Sequence, residues 1–428
     1  MLRTLTIVGA FTVTFTGLFT ARFAAGAPNK FVDAESSQIS QLVDEFEAYA
    51  RTVTFDDVKW FAALPLMRAA EFRIALNQPA RAIAIVDVLE KYALSMKSPE
   101  GRVVALSSIA EILAPIDRSR ALKVIELAEP LTAELPLTEY SSGPLTNGYL
   151  AVSDFRKAID HEKAELADET PSMQLQFASS IAVRLARDRQ TAALREVQDY
   201  LRNVQNDPLT PPGFYDEYFI AEKISAFAKA RLPDDARRLL PGYLKQTTEH
   251  HRAAYLVIDV AASLREAGRR AESLELLRTS ATNLPVEHHV KFAVTAARAG
   301  DFGLAREYVN SGNDVANYWV LERVAVWAHR AGEKALRDEM LERYGAALLI
   351  AAEKRKGEDM LDVEWNLAVA NAAVGQLDDL QALIKRQPPD SAARSREFLI
   401  AILLRERGKT INVGQFDLCD DILLDITR

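Results

Sequence analysis

Two identical triplets hold the residues best suited to metal chemistry. Glu249-His250-His251 and Glu287-His288-His289 lie 38 residues apart, and neighbouring imidazoles can bind zinc, nickel or copper. Adjacent residues of a helix, however, point about 100° apart, so two such histidines rarely reach one ion. The triplets also precede the next glycine of a repeated phrase by different distances, 19 and 13 residues, which argues against equivalent positions. The sequence therefore favours the interpretation that both triplets are polar residues at helix starts. It predicts no metal site and no cofactor.

Five acidic pairs could supply the two carboxyl groups that general acid–base catalysis needs, as in glycosidases. Several of them fall at predicted helix starts, where a carboxylate accepts bonds from free amides and suits the helix dipole. A Gly-rich phosphate loop, a nucleophile elbow and the H-E-x-x-H signature are absent from the sequence. The sequence thus predicts a protein that is not an enzyme. The pairs are Asp56-Asp57, Asp216-Glu217, Asp234-Asp235, Asp378-Asp379 and Asp420-Asp421.

The elements that carry these residues follow a repeat. Phrases rich in alanine end at Gly268, Gly300 and Gly332, which are 32 residues apart, and a degenerate copy ends at Gly375 after a further 43. Recurrence every 20–50 residues is typical of stacked helical hairpins. Apolar residues also recur at three- and four-residue intervals, and strand-like alternation is scarce. These patterns predict an all-α chain of stacked antiparallel helix pairs.

The repeat pattern extends toward the N-terminus. Earlier copies of the first helix lie at 72–76, 109–114, 181–187 and 224–232. Each is followed by a second helix with an alanine at a matching offset, where a small residue lets the paired helices approach closely. These alanines are Ala82, Ala121, Ala193 and Ala236, and Ala305 stands at the matching offset after Gly300.

The C-terminal half resembles a divergent tetratricopeptide-repeat array. The resemblance rests on Gly300-Asp301-Phe302-Gly303-Leu304-Ala305, on Pro285, and on a small residue seven positions before each glycine, namely Ala261, Ala293, Ala325 and Ala368. It covers about residues 250–385 and extends weakly over 60–250, and most of the conserved aromatic residues of the family are missing. The resemblance implies a right-handed α-solenoid whose concave groove binds a protein or peptide segment and has no chemistry of its own.

In such an array the first helix of each pair lines the groove. Counting back from the glycines, we expect Arg265 and His329 to meet acidic groups of a partner, and Trp319 and Trp365 to stack on it, because aromatic residues and arginine anchor many interfaces. The alternative is that these aromatic residues pack between neighbouring hairpins. The complete predicted set is Tyr255, Ile258, Arg265, Glu287, Trp319, Glu322, His329 and Trp365.

The N-terminus has the layout of a secretory signal. Arg3 precedes an uncharged apolar run from Leu5 to Ala21, and small residues follow up to Ala27. We therefore expect a signal peptide at 1–26 and a bacterial periplasmic or secreted protein, with an uncleaved N-terminal anchor as the alternative. Beyond residue 27 no uncharged apolar stretch is long enough to span a membrane. The formal net charge of −8 argues against a nucleic-acid partner.

The remaining chain divides into a flexible lead-in at 27–40, a repeat solenoid at 41–412 and a C-terminal capping helix at 413–428. Two Gly-, Pro- and Asn-containing stretches, 141–148 and 206–213, are predicted loops between stacked pairs. The single cysteine, Cys419, excludes an internal disulfide. We predict an exported binding or scaffold protein. A polysaccharide-active (α/α)-toroid enzyme and a self-assembling structural protein stay open as alternatives, and the sequence does not indicate the oligomeric state.

Overall fold

The computed structural model describes residues 36–53, 63–132, 142–166, 170–187, 190–205, 214–354, 363–407 and 409. The predicted signal peptide at 1–26, the loop at 206–213, Cys419 and the capping helix at 413–428 lie outside these ranges.

All regular structure in these ranges is helical, which confirms the all-α prediction. None of the helices among them is long and apolar enough to cross a membrane. In chain order the α-helices are α1 Ser36–Ala50, α2 Leu64–Ala75, α3 Pro79–Ser95, α4 Pro99–Leu113, α5 Arg118–Thr132, α6 Ser142–Ala151, α7 Phe155–Leu166, α8 Pro171–Arg187, α9 Thr191–Asn203, α10 Phe214–Lys229, α11 Pro233–Gln246, α12 His250–Glu266, α13 Arg270–Ala281, α14 Ala293–Arg298, α15 Phe302–Asn310, α16 Tyr318–Ala331, α17 Lys334–Lys354, α18 Val363–Ala373, α19 Asp378–Arg386 and α20 Pro389–Glu406. A 3-10 helix, Val286–Phe292, leads directly into α14.

Contacts divide the described chain into two compact units. Val43–Ser311 form the larger unit, and the described residues before Val43 and after Ser311 form the smaller one. The two units therefore meet at neither of the predicted breaks in the repeat, 141–148 and 206–213.

In the larger unit, helices α2 to α13 pack as consecutive pairs, and the 3-10 helix with α14 pairs with α15. The first helices of neighbouring pairs also pack on one another, so that they form one layer, which we call the first-helix layer. It consists of α2, α4, α6, α8, α10, α12 and the 3-10 helix with α14. In the smaller unit α16 pairs with α17 and α18 pairs with α19, and α20 packs on the latter pair.

The four glycines of the sequence repeat close the hairpin turns. Gly268, Gly300, Gly332 and Gly375 have φ values of +78°, +74°, +78° and +91°, a left-handed conformation that costs glycine little. After each of them the next N–H donates back to a carbonyl five residues earlier, as Arg269 does to Leu264 at 2.9 Å. This is the bond of a Schellman helix end, so these positions are equivalent turns.

The same turn occurs upstream without glycine. Asn77, Ser153 and Arg231 have φ values between +58° and +60°, and the residue after each one makes the same backward bond. Asparagine adopts this conformation readily, whereas arginine does so at a cost. These turns confirm hairpins at the copies predicted around 72–76 and 224–232.

Small buried residues hold each pair of helices together. The residue five positions after the left-handed one is Ala82, Ala236 or Ala305 in three hairpins, and each is fully buried. At the equivalent position after Gly268 stands Ser273, whose hydroxyl donates to the Ala261 carbonyl at 2.7 Å. Ala261, Ala293, Ala325 and Ala368, predicted as close-packing positions, are also buried. Ala193 is only half-buried, so the predicted close contact is wrong there.

The loop predicted at 141–148 is wrong, because α6 occupies Ser142–Ala151. Leu145 and Tyr149 are buried at helical spacing, and this burial stabilises a helix that the Gly and Asn residues disfavour. A Cβ atom at Gly148 would lie 3.3 Å from a side-chain carbon of Ile125. Gly148 therefore permits close packing of two helices and does not mark a turn.

Candidate binding surface

Polar side chains join neighbouring helices of the first-helix layer. Arg252 on α12 bonds to Glu222 on α10 at 2.5 Å, and its guanidinium lies 4.0 Å from the ring centre of Tyr218. Farther along the layer, Arg184 on α8 donates to Asn147 on the neighbouring α6 at 3.3 Å and also lies 3.2 Å from Glu111 on α4, the helix beyond it. These partly buried pairs fix the register of successive helices and leave aromatic and ionic groups at the surface.

One junction in this layer is made by a half-buried carboxyl group. Asp259 on α12 accepts a bond from the Ser225 hydroxyl on α10 at 2.8 Å. Burial raises the pKa of Asp259 above its ordinary value, although this bond and Lys229 act in the opposite direction. The pair therefore joins α10 to α12 rather than presenting a charge to solvent.

At the start of α12 five side chains form what we call the histidine–lysine cluster: His250, His251, Tyr255, His288 and Lys291. The His288 ring centre lies 6.3 Å from that of His250 and 6.2 Å from that of His251. The Lys291 Nζ atom lies 2.6 Å from His251 Nδ1 and 4.7 Å from the centre of the Tyr255 ring. The two histidine triplets, which the sequence places at non-equivalent positions, thus meet across two consecutive hairpins.

Burial and the charge of Lys291 together shift the pKa values in this cluster. Lys291 is only 8% exposed, and burial lowers the pKa of its ammonium group. The pKa of His288 is also lowered, mainly by burial and then by the charge of Lys291, while Glu287 acts in the opposite direction. Because an ammonium group donates and cannot accept, the contact assigns His251 Nδ1 as the acceptor from Lys291, which in a neutral imidazole leaves the proton on Nε2. The cluster therefore presents N–H donors beside the exposed ring of Tyr255.

His289, the last residue of the second triplet, lies outside the cluster. Its Nε2 atom is 3.0 Å from the Leu284 carbonyl, and its ring stacks on Phe292 and meets the edge of Tyr308. These contacts indicate a role in packing the 3-10 helix. Among the residues that the structure describes, no group of three or more His, Cys, Asp or Glu side chains is placed to hold a metal ion.

In the larger unit the predicted groove residues fall into two settings. Tyr255 is 42% exposed inside the cluster, and Glu287 is exposed next to it. Ile258 and Arg265 are half-buried farther along α12, where Arg265 lies 3.7 Å from Glu266. Tyr255 and Glu287 are thus available to a partner, while Ile258 and Arg265 offer less surface.

In the smaller unit the predicted groove residues are mostly covered. Trp365 is 8% exposed and meets the edge of Phe398 on α20 at a ring distance of 5.1 Å, so it packs between helices. Glu322 is 4% exposed, and burial raises its pKa to about 8. Trp319 and His329 are half-buried, and burial lowers the pKa of His329 to about 4. Trp365 and Glu322 leave little surface for a partner.

A second polar site lies at the N-terminal end of the larger unit. A cleft of about 350 Å³ is lined by Arg73, Arg81, Asp44 and Glu47 among others. Arg73, which is 2% exposed, bonds to Glu47 at 2.7 Å and to Asp44 at 2.6 Å, and Arg81 also bonds to Asp44. Because these carboxylates occupy the guanidinium groups, the site is best explained as an ion-pair network that fastens α1 to α2 and α3.

Two of the five acidic pairs lie at helix starts, as the sequence predicts. Asp234 and Asp235 lie in the first turn of α11, and Asp378 and Asp379 in the first turn of α19. Asp234 also bonds to Arg269 at 2.7 Å in the following hairpin. Asp56-Asp57 and Asp420-Asp421 lie outside the described residues.

Sequence reasoning missed Lys291 and Arg252. Neither stands out by type, because lysine and arginine are common on helix surfaces. A signal for Lys291 exists in its spacing: it lies three residues after His288, which places both on one side of the 3-10 helix. For Arg252 no local signal exists, since Glu222 is 30 residues away.

A comparison with models of known protein families finds no match to this chain, and a comparison with curated proteins finds none either.

Proposed function

We propose that this chain is a non-catalytic binding or scaffold protein that presents its first-helix layer to a protein or peptide partner. In this proposal the hairpins stack as a right-handed, tetratricopeptide-like superhelix, and the protein acts in the periplasm or at the exterior of a bacterial cell. The partner is a polypeptide, because the predicted contact residues are aromatic, aliphatic and ionic rather than a basic phosphate-binding set.

The observation that carries the proposal is the histidine–lysine cluster at the surface of that layer. Tyr255 is 42% exposed although it lies on a first helix among buried neighbours, and Val183 on α8 is equally exposed. Exposed aromatic and aliphatic side chains beside hydrogen-bond donors have the composition of an interface core with a polar rim. The layer also consists of rigid helices, which hold such groups in fixed positions.

Site-specific photo-crosslinking tests the proposal. A photoreactive phenylalanine analogue would replace Tyr255 or Val183 on first helices, and Leu94 or Leu127 on second helices as matched controls, since these are 55% and 50% exposed. Crosslinking in the native cells, followed by mass spectrometry, should join one partner to the first two positions and not to the controls.

Tyr255→Ala should then release the same partner from the unlabelled protein. Crosslinks confined to Leu94 and Leu127 would move the binding face to the second helices. The absence of any crosslinked polypeptide from all four positions would refute the proposal.

A further inference from the structure

We infer that the histidine–lysine cluster is an oxyanion-binding subsite, which takes a carboxylate or phosphoryl oxygen carried by the partner. The inference rests on the proposed function for the existence of a partner, and adds the chemistry by which the layer recognises it.

Lys291 has no counter-charge among the described residues. Three cationic side chains are buried among the described residues: Arg68, Arg73 and Lys291. Arg68 pairs with Glu71, and Arg73 pairs with Glu47 and Asp44. Within the same part of the chain Lys291 has no carboxylate partner and contacts only an imidazole nitrogen and an aromatic ring. A buried cation without an anion is unfavourable, so an incoming oxyanion would relieve this cost.

The ammonium group of Lys291 also has unused hydrogen-bond donors. An ammonium group has three N–H donors, and the described residues accept only one from Lys291, at His251 Nδ1. The Nε2–H of His251 remains available, and His288 adds a further ring within 6.2 Å of His251. The Nδ1 atom of His250 is buried without a hydrogen-bond partner among the described residues. The Lys291 ammonium and the imidazoles of two consecutive hairpins thus converge, and the only acceptor that the described residues give Lys291 is His251 Nδ1.

The cluster is accessible from solvent. His251 and Tyr255 are exposed and His288 is half-buried, so the cluster opens at the surface instead of into a deep cavity. A surface subsite of this kind suits a single anionic group on a larger partner. The charged groups that face His288 are Lys291, His250, His251 and Glu287, and only the last of these is acidic.

The experiment follows the histidine side chains of the purified full-length protein by nuclear magnetic resonance. The chain has only six histidines, so each imidazole can be assigned. Inorganic phosphate and acetate are titrated separately, with sodium chloride at equal ionic strength as the control. We expect saturable shifts at His251 and His288 with a millimolar dissociation constant, together with a raised pKa of His288, because a few charge-assisted bonds give binding of this order.

Lys291→Met should abolish the saturable shifts. Lys223→Met is the matched control. Lys223 on α10 is half-buried and, like Lys291, lies beside aromatic rings, but it already donates to the Val204 carbonyl at 2.7 Å. This control should leave the shifts unchanged. His251→Gln, at an exposed position, provides a second test that does not depend on how well the Lys291 variant folds, and it should weaken binding at least fivefold.

The two titrations also distinguish the source of the oxygen. Saturation by acetate alone would assign a carboxylate, as on an acidic side chain, and saturation by phosphate alone would assign a phosphoryl group. Shifts that match the chloride control, or that persist unchanged in Lys291→Met, would overturn the inference. If a partner crosslinks at Tyr255 but neither phosphate nor acetate gives saturable shifts, the proposed function stands and only the oxyanion-binding subsite is refuted.

Discussion

Replacing Glu322 by glutamine should stabilise the smaller unit, and the gain should grow as the pH rises. Glu322 lies in the second turn of α16, is 4% exposed, and has one carboxyl oxygen without a hydrogen-bond partner in the described part of the chain. Burial raises its pKa from 4.5 to about 8, and Arg323 offsets only part of that effect. Glutamine keeps the shape of the side chain and cannot ionise.

The magnitude follows from proton linkage. The folded state holds a proton on Glu322 between about pH 4.5 and pH 8, whereas the unfolded state has lost it, so stability falls as the pH rises through this window. With one pKa unit equivalent to about 1.4 kcal/mol, the carboxyl group costs about 1 kcal/mol at pH 5 and about 4 kcal/mol at pH 8. The Glu322→Gln variant should recover most of that difference.

Tryptophan fluorescence during urea unfolding is a suitable assay, because three of the four tryptophans, Trp319, Trp327 and Trp365, lie in the smaller unit. The free energy of unfolding would be compared with wild type at pH 5 and pH 8. Glu333→Gln, at an exposed position just after the same helix, is the control and should change little at either pH. An equal effect of Glu322→Gln at both pH values would refute the reasoning, since the carboxyl group would then not ionise as a buried one.

Three further substitutions test the fold. Gly332→Ala should destabilise the protein by about 1–2 kcal/mol, because φ is +78° and the added methyl group meets no atom, so thermal melting would report backbone strain alone. Arg231→Gly, at φ +58°, should stabilise by about 1 kcal/mol, and a lower melting temperature would contradict the turn equivalence. Arg73→Met should lower the free energy of unfolding, measured by chemical denaturation, by about 3–5 kcal/mol. Substitution of the exposed residue in Arg81→Met should lower it by less than about 1 kcal/mol. Equal losses in the two variants would contradict a buried ion-pair network.

The hairpins were predictable from sequence because their turns are a local property. A position with a left-handed backbone favours glycine, and a position of close helix contact favours alanine. Both residue types therefore recur periodically in the sequence, as Gly268, Gly300 and Gly332 do. Where Arg231 or Ser153 occupies the same turn, the sequence signal for the turn is weaker, although the backbone conformation is the same. At Gly148 the rule failed, since a glycine used for packing against Ile125 has the same sequence signature as one used in a turn.

The surface was predictable only in part. Tyr255 and Glu287 lie where a first helix reaches solvent, but the inward or outward direction of Trp365 depends on the position of Phe398 in α20. A small error in helical phase turns an exposed position into a buried one, as for Glu322. The meeting of His251 with His288 depends on how two hairpins stack, which no local spacing determines.

Every extensive helix contact between Val43 and Ser311 joins helices of the same hairpin or of adjacent hairpins. A unit built in this way depends on each hairpin only through its neighbours. Gene rearrangements can therefore add or remove one pair of helices without redesign of a shared core, provided that the new neighbours match at the interface.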